Sequence, residues 1–303
     1  MDRNPAATAM TVQRLQPLPL LAPYIQHFGL REARLGDARI YLPLPARSDC
    51  FLEIYLADEY RIINVASGAI HRAPRLSLVG PHTRRREDLL LSGSLRVFHI
   101  HVTPTGFRAL FGIPAHLIAD SGEAAEAVLG PRIHELSERL AEAREFADLV
   151  AVAERFFLSR LPNVALPPLP VGAIARTLQR SHGAVEIARL AAAHNLTVRH
   201  LERVFREHVG VSPKAFARLA RLSRALDLSQ KSPTLDWAEI AVAAGFYDQS
   251  HLVRDFRSMT GETPVGFTAL RQNAARIGRS LASADNVAFV LSPPFTEQII
   301  SNP

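Results

Sequence analysis

Two short stretches of this chain, 51 residues apart, carry side chains suited to reading the edge of a duplex nucleic acid. In the first, Val198, Arg199, Glu202, Arg203 and Arg206 fall on one side of a helically spaced segment; in the second, Gln249, Ser250, Val253, Arg254 and Arg257 do the same. Arginine forks onto phosphate oxygens or onto guanine O6 and N7, glutamine pairs with adenine N6 and N7, and glutamate accepts from the cytosine amine. The opposite side of each segment is apolar, with Leu201, Val204 and Phe205 in one and Leu252 and Phe256 in the other. An arginine row on one amphipathic helix is usually a solvated face, so the weight here comes from finding it twice.

The elements that must position these side chains repeat as well. Laying His200–Pro213 over His251–Pro264 makes seven of fourteen residues identical, and upstream Val185-Glu186-Ile187-Ala188 matches Ala238-Glu239-Ile240-Ala241 with a two-residue difference. Each copy reads as helix, tight turn, second helix, then glycine and a Ser/Thr-Pro exit. Small alanines in the first helices let a second helix cross closely. The turn needs a residue that tolerates positive φ, which Gly245 supplies in the second copy and His194-Asn195 in the first. Thr197 and Asp248 precede the second helices as N-caps. Between the copies, Pro213, Phe216, Leu219, Ala220, Leu222, Ala225 and Leu226 spell one long amphipathic helix ending near Ser229-Gln230-Lys231. Such a helix would fix the separation of two helix-turn-helix units, so that both second helices enter successive major-groove segments about 34 Å apart.

Residues from about 171 to 267 resemble the DNA-binding domain of the AraC/XylS family of bacterial transcriptional regulators. The resemblance is carried by Ala238-Glu-Ile-Ala241, Ala244-Gly-Phe246, Asp248-Gln-Ser-His-Leu252 and Phe256-Arg257, closing on Gly261 with Thr263-Pro264. It implies base-contacting positions at Arg199, Glu202 and Arg203 in the first unit and at Gln249, Ser250, His251, Val253 and Arg254 in the second. A histidine precedes the buried leucine in both copies, so His251 is equally a packing or phosphate-contacting residue. The first turn lacks the glycine that many members carry. The family implies an N-terminal sensing or dimerising domain, often a cupin-like β barrel, and hence a small-molecule effector, a homodimer, and RNA polymerase as partner of an activator. DNA-repair methyltransferases that share this type of unit depend on several cysteines, and Cys50 is the only one here.

Charge agrees with that placement. The chain of 303 residues carries 35 Lys+Arg against 29 Asp+Glu, and residues 171–272 hold 14 basic and 9 acidic side chains while residues 1–170 are nearly balanced. With 48% hydrophobic residues the chain can bury the cores of two domains. A single cysteine leaves no intrachain disulfide, and neither an export signal nor a membrane-spanning run of about 18 apolar residues is legible. The expectation is a cytoplasmic protein, associated with the nucleoid through DNA and with no membrane partner.

The N-terminal half reads as β-rich. Short strands are expected at 38–44, 49–57, 60–65, 75–79, 89–91 and 94–102, with turns at Asp58-Glu59, Ser67-Gly68 and Ser92-Gly93, which suggests a small antiparallel barrel or sandwich. Helices follow around Phe107, Leu110 and Phe111, at 131–142 and at 145–161. Four prolines in Leu161–Pro170 mark a stiff linker. The expected fold is thus α+β, with an N-terminal sensing or dimerisation domain (1–161), a Pro-rich linker (162–170), an all-α DNA-binding domain with two helix-turn-helix units (171–272) and a tail (273–303) that is either loose or docked.

The sharpest chemistry in the N-terminal half is His99-Ile-His101, two imidazoles on one face of a strand. No acid follows in Val-Thr-Pro-Thr-Gly-Phe, so the pair is read as hydrogen-bonded or ligand-lining, with no metal site and no cofactor expected. Asp49, Glu53 and Tyr55 share a strand face that is either solvent or pocket lining. Arg84-Arg85-Arg86 is a solvated basic loop, or else meets an anionic ligand or the DNA backbone. Cys50 reads as a small core residue rather than a nucleophile. Without a phosphate loop, a nucleophile elbow, a cysteine cluster or paired carboxylates, no enzyme is expected. The alternative is a β-barrel enzyme or ligand-binding protein whose helical domain makes protein contacts.

Overall fold

The computed structural model describes residues 8–58, 60–161, 169–232 and 234–279. The N-terminal half is an eight-stranded antiparallel sheet: β1 (Thr8–Leu15), β2 (Ile25–Pro43), β3 (Cys50–Tyr55), β4 (Arg61–Asn64), β5 (Ile70–Arg72), β6 (Leu76–Val79), β7 (Glu87–Val102) and β8 (Gly122–Ala124). The order is β1-β2-β7-β3-β6-β8, while β4 pairs with the first part of β7 and with β5. Three features went beyond the sequence expectation. β1, β5 and β8 were not anticipated, β2 starts thirteen residues earlier than the strand expected at 38, and the two strands expected at 89–91 and 94–102 are one. Ser92-Gly93 is not a turn: Gly93 sits at φ +72° inside β7, opposite Gly36 at φ +56° on β2, so two long strands change register together without separating.

Alternation sorts the sheet into two faces. On one, Phe28, Leu30, Leu52, Ile54, Leu78, Phe98 and Ile100 pack under the helices α1 (Gly106–Phe111), α2 (Ala125–Leu129), α3 (Arg132–Glu142) and α4 (Phe146–Arg160), which bring Phe107, Leu136, Leu140, Leu149 and Phe157. Each such burial contributes about 1.5–3 kcal/mol. The other face carries His27, Arg31, Phe51, Glu53, Tyr55, His99 and His101 in the register His27↔His101↔Phe51 and Gly29↔His99↔Glu53. It continues into a second apolar cluster of Leu35, Ile40, Leu42, Tyr60, Ile62, Leu91, Leu95 and Val97. The Asp49–Tyr55 strand face therefore looks into the protein.

The C-terminal half is all α: α5 (Leu169–Arg180), α6 (Ile187–Ala193), α7 (Val198–Val209), α8 (Pro213–Lys231), α9 (Trp237–Ala243), α10 (Gln249–Thr260) and α11 (Pro264–Arg279). The first helix begins at Leu169, inside the stretch read as a linker, and the last runs past 272, inside the stretch read as tail. The rest of both stretches lies outside the described residues. Two cores form on the one helix α8: Phe216 and Ala217 pack with α5, α6 and α7, and Leu219, Leu222, Ala225 and Leu226 pack with α9, α10 and α11. At 1.5 Å per residue this helix is about 28 Å long, the rigid spacer that the sequence called for.

Candidate nucleic-acid interface

Each helix-turn-helix unit is set by three local devices, two in the backbone and one a side-chain cap. In the first, the Leu196 N–H donates to Ala191 O, Asn195 takes φ +55°, and the Thr197 hydroxyl accepts from the His200 N–H at 3.2 Å. In the second, the Phe246 N–H donates to Ala241 O, Gly245 takes φ +82°, and Asp248 Oδ1 accepts from the His251 N–H at 2.6 Å. These matching bonds show how the first helices align: Leu190-Ala191 corresponds to Ile240-Ala241, both pairs buried, whereas Ile187 is half-buried and Ala188 exposed. Aligning Ile187-Ala188 with Ile240-Ala241, as sequence likeness suggests, is thus three residues out. The second unit instead holds one extra residue between turn and cap.

Arg199, Glu202, Arg203 and Arg206 on α7 are all exposed, as are Gln249, Ser250, Arg254 and Arg257 on α10. Leu201, Phe205 and Val209, and Leu252, Phe256 and Met259, fill the cores beneath them. Two of the expected reading residues are half-buried. Val253 is half-buried against the core of its unit. The His251 ring stands edge-on to Phe246 at 5.5 Å, its Nδ1 accepts from the Tyr247 N–H at 3.5 Å, and its Nε2 lies 3.7 Å from Asp255. Tyr247, missed in the sequence, is 90% exposed directly before the cap of α10. Residue type gave no signal for it, since Phe246, the other aromatic between Gly245 and Asp248, enters the core.

Arginines on α8 lock the units to the spacer. Arg218 donates to both carboxylate oxygens of Asp255, at 3.1 and 2.9 Å, and to Ser258 Oγ at 2.9 Å. Arg221 donates to Gly183 O at 2.8 Å and lies over the Phe246 ring at 5.7 Å. One α8 side chain therefore holds α10, and its neighbour spans both units.

The C-terminal ends of both reading helices abut the N-terminal domain. Arg85, the middle of the arginine run, donates its N–H to Met259 O at 2.7 Å and a guanidinium N–H to Thr260 O at 3.4 Å, while holding Asp88 at 2.6 and 2.8 Å. The run is thus neither a simple solvated loop nor a uniform anion site: Arg84 and Arg86 are exposed, and Arg85 joins the domains. On the other unit Arg108 lies 3.4 Å from Glu207. Pro114 and His116 face Arg199, Glu202, Arg203 and Arg206 across an open cavity of about 670 Å³.

The histidine pair belongs to a larger cluster. A third imidazole, His27 from β2, joins His99 and His101, all three buried, with ligand atoms within 4.8 Å of one another. Glu53, an acid that the residues after His101 did not provide, sits opposite His99 in register. Burial, with Arg14 nearby, lowers His27 to about 3; burial and the surrounding arginines and histidines hold His99 and His101 well below the ordinary histidine value. Cys50 is buried, and burial with Asp49 beside it raises its thiol, so it is a core residue. No helix among the described residues is long and apolar enough to cross a membrane.

Residues 190–269 match a helix-turn-helix domain family, and residues 13–123 match a domain of unknown function (DUF6597). The HTH-type transcriptional regulator GlxA of Rhizobium meliloti (strain 1021) is 37% identical over 114 residues, covering 38% of this chain and 33% of that protein. The HTH-type transcriptional regulator MtrA of Neisseria gonorrhoeae is 29% identical over 91 residues, covering 30% of each. The matches therefore span about a third of the length of these relatives. Among solved structures, ToxT from Vibrio cholerae O395 aligns over 80% of this chain and 97% of its own at 14% identity, with a TM-score of 0.42. The fold and the paired units define a two-domain protein with a DNA-binding helix-turn-helix domain. That domain is of the AraC type, joined to an N-terminal antiparallel sheet domain.

Proposed function

We propose that the chain is a sequence-specific transcriptional regulator, not an enzyme, that reads two adjacent major-groove segments of duplex DNA. The observation that carries this reading is the pair of exposed basic faces, on α7 and α10, held by one rigid helix. Arg199, Glu202, Arg203, Gln249, Ser250 and Arg254 lie toward the N-terminal ends of their helices, where base edges are met, and Arg206 and Arg257 lie further along as phosphate contacts. His251 acts by supporting the turn and Val253 by an apolar contact. Tyr247 joins them as a backbone contact.

The N-terminal domain senses an effector or dimerises, and its contacts with the ends of both reading helices support a coupling between that event and the presentation of the helices. A homodimer, RNA polymerase contact in activation, and a cytoplasmic, nucleoid-associated location belong to this reading. Selection of full-length protein on a random duplex library at about 150 mM salt tests it, because that ionic strength suppresses the sequence-independent term. Enrichment of a motif with two blocks about one helical turn apart supports the reading; no enrichment, with or without added cell metabolites, refutes it.

A further inference from the structure

We propose that His27, His99 and His101 form a site for one divalent transition-metal ion that favours imidazole, such as zinc or cobalt, within the N-terminal sheet domain. The proposal stands apart from the DNA-binding reading and rests on the sheet itself. Neighbouring antiparallel strands place His27 directly opposite His101, with His99 two residues along the same face. The rings form a closed triangle, with centroids 4.4 Å apart for His27 and His101, 5.1 Å for His99 and His101, and 6.0 Å for His27 and His99. All three are at most 5% exposed.

His99 distinguishes this cluster from ordinary core histidines. It is 1% exposed, yet neither Nδ1 nor Nε2 has a hydrogen-bond partner among the described residues. A buried polar group left in that state costs stability, and a metal bond is a standard way of satisfying it. The sequence also makes room for the ring, because a Cβ at Gly29 would stand 2.1 Å from His99 Nε2.

The site needs a modest contraction. Zinc–nitrogen bonds of about 2.0–2.1 Å place tetrahedral ligand atoms about 3.3 Å apart, so the rings must close from their present spread. Three protein ligands leave the fourth position open. Arg14, Arg31 and Arg47 bring positive charge to the same space, and Glu53, held by Arg31 and by the Tyr55 hydroxyl, offsets part of it. An anionic fourth ligand would offset more of it.

The test uses full-length protein stripped with chelator and titrated with Zn²⁺ by calorimetry and with Co²⁺ by visible absorption. The expected result is one equivalent bound, with affinity reduced more than about tenfold in each of His27→Gln, His99→Gln and His101→Gln. It should be unchanged in His134→Gln, which removes an exposed imidazole beside Glu126 and Glu138. Should those three variants fail to fold, proton NMR of the Co²⁺-loaded parent protein should show three hyperfine-shifted imidazole spin systems. Absence of stoichiometric binding, binding lost in His134→Gln but kept in the other three, or fewer than three shifted imidazoles would overturn the proposal.

Discussion

Gly29 and His99 face each other across β2 and β7, and the space that a side chain at 29 would take is occupied by the imidazole of 99, with 2.1 Å between the would-be Cβ and Nε2. The two positions act as one packing unit, so Gly29→Ala should destabilise the protein by about 1–3 kcal/mol through overpacking. The double variant Gly29→Ala/His99→Ala should recover much of that loss. Urea denaturation of the four members of the cycle checks it, and strictly additive effects would contradict the packing unit.

On the reading helices, Arg254→Ala should weaken binding to the selected site by about 1–3 kcal/mol and relax preference at one base pair. Arg257→Ala should weaken binding to all sequences alike and reduce the salt slope by about 1. Titrations on specific and random duplexes at two salt concentrations separate these outcomes. If both variants behave like the parent, the assignment of α10 as a reading helix is wrong.

Asn195 is one of the non-glycine residues at positive φ, and it closes the first turn. A Cβ-bearing residue without asparagine's local hydrogen bonding costs about 1–2 kcal/mol in that conformation, so Asn195→Ala should lower the thermal midpoint while Asn195→Gly leaves it level or raises it. A melting scan of the three proteins decides the point.

Three adjacent arginines should respond very differently to removal. Arg85 pairs with Asp88, with side chains 9% and 2% exposed, and Asp88 also accepts from the Tyr41 hydroxyl. Arg85→Ala strands that carboxylate and removes the guanidinium bond to Thr260 O, while the backbone bond to Met259 O stays, for an expected loss of about 3 kcal/mol. Arg84→Ala and Arg86→Ala, at exposed positions, should each change stability by under about 0.5 kcal/mol. Equal effects at all three would remove the interdomain role given to Arg85.

His82 is 2% exposed, its Nε2 donates to Ser121 O at 3.2 Å, and burial lowers its pKa to about 4. The unfolded chain, with histidine near 6.5, binds a proton first as pH falls. The contribution of neutral His82 is therefore fully present above about pH 6.5 and is lost as pH falls toward about 4. Comparing parent and His82→Gln by urea denaturation at pH 7 and pH 5, the parent should lose about 1–2 kcal/mol more than the variant. An equal loss in both would show that His82 is already charged in the folded state.

The reading face was legible because its signals are local and repeated. Turn tolerance at Asn195 and Gly245, caps at Thr197 and Asp248, and apolar residues three and four apart each need only a few neighbours in sequence, and duplication tests them against each other. The same locality explains the misalignment of the first helices: Ile-Ala at 187 resembles Ile-Ala at 240 by residue type, and only the turn hydrogen bonds show that Leu190-Ala191 is the buried pair. Val253 and His251 bear types suited to DNA contact, and packing against Phe246 and the unit's core leaves both half-buried.

By itself, the sequence determined the helical half of this protein: the two units, their caps and the spacer helix between them follow from spacing within about twenty residues. It also determined that the other half is rich in strand and ends in helices. Only the tertiary structure decided which strands pair, because register joins residues with no sequence relation: His27 to His101, Glu53 to His99, Gly29 to the ring it accommodates. It also decided that Arg85, alone among three identical neighbours, joins the domains, since a residue's role there is set by which carbonyls lie across the interface.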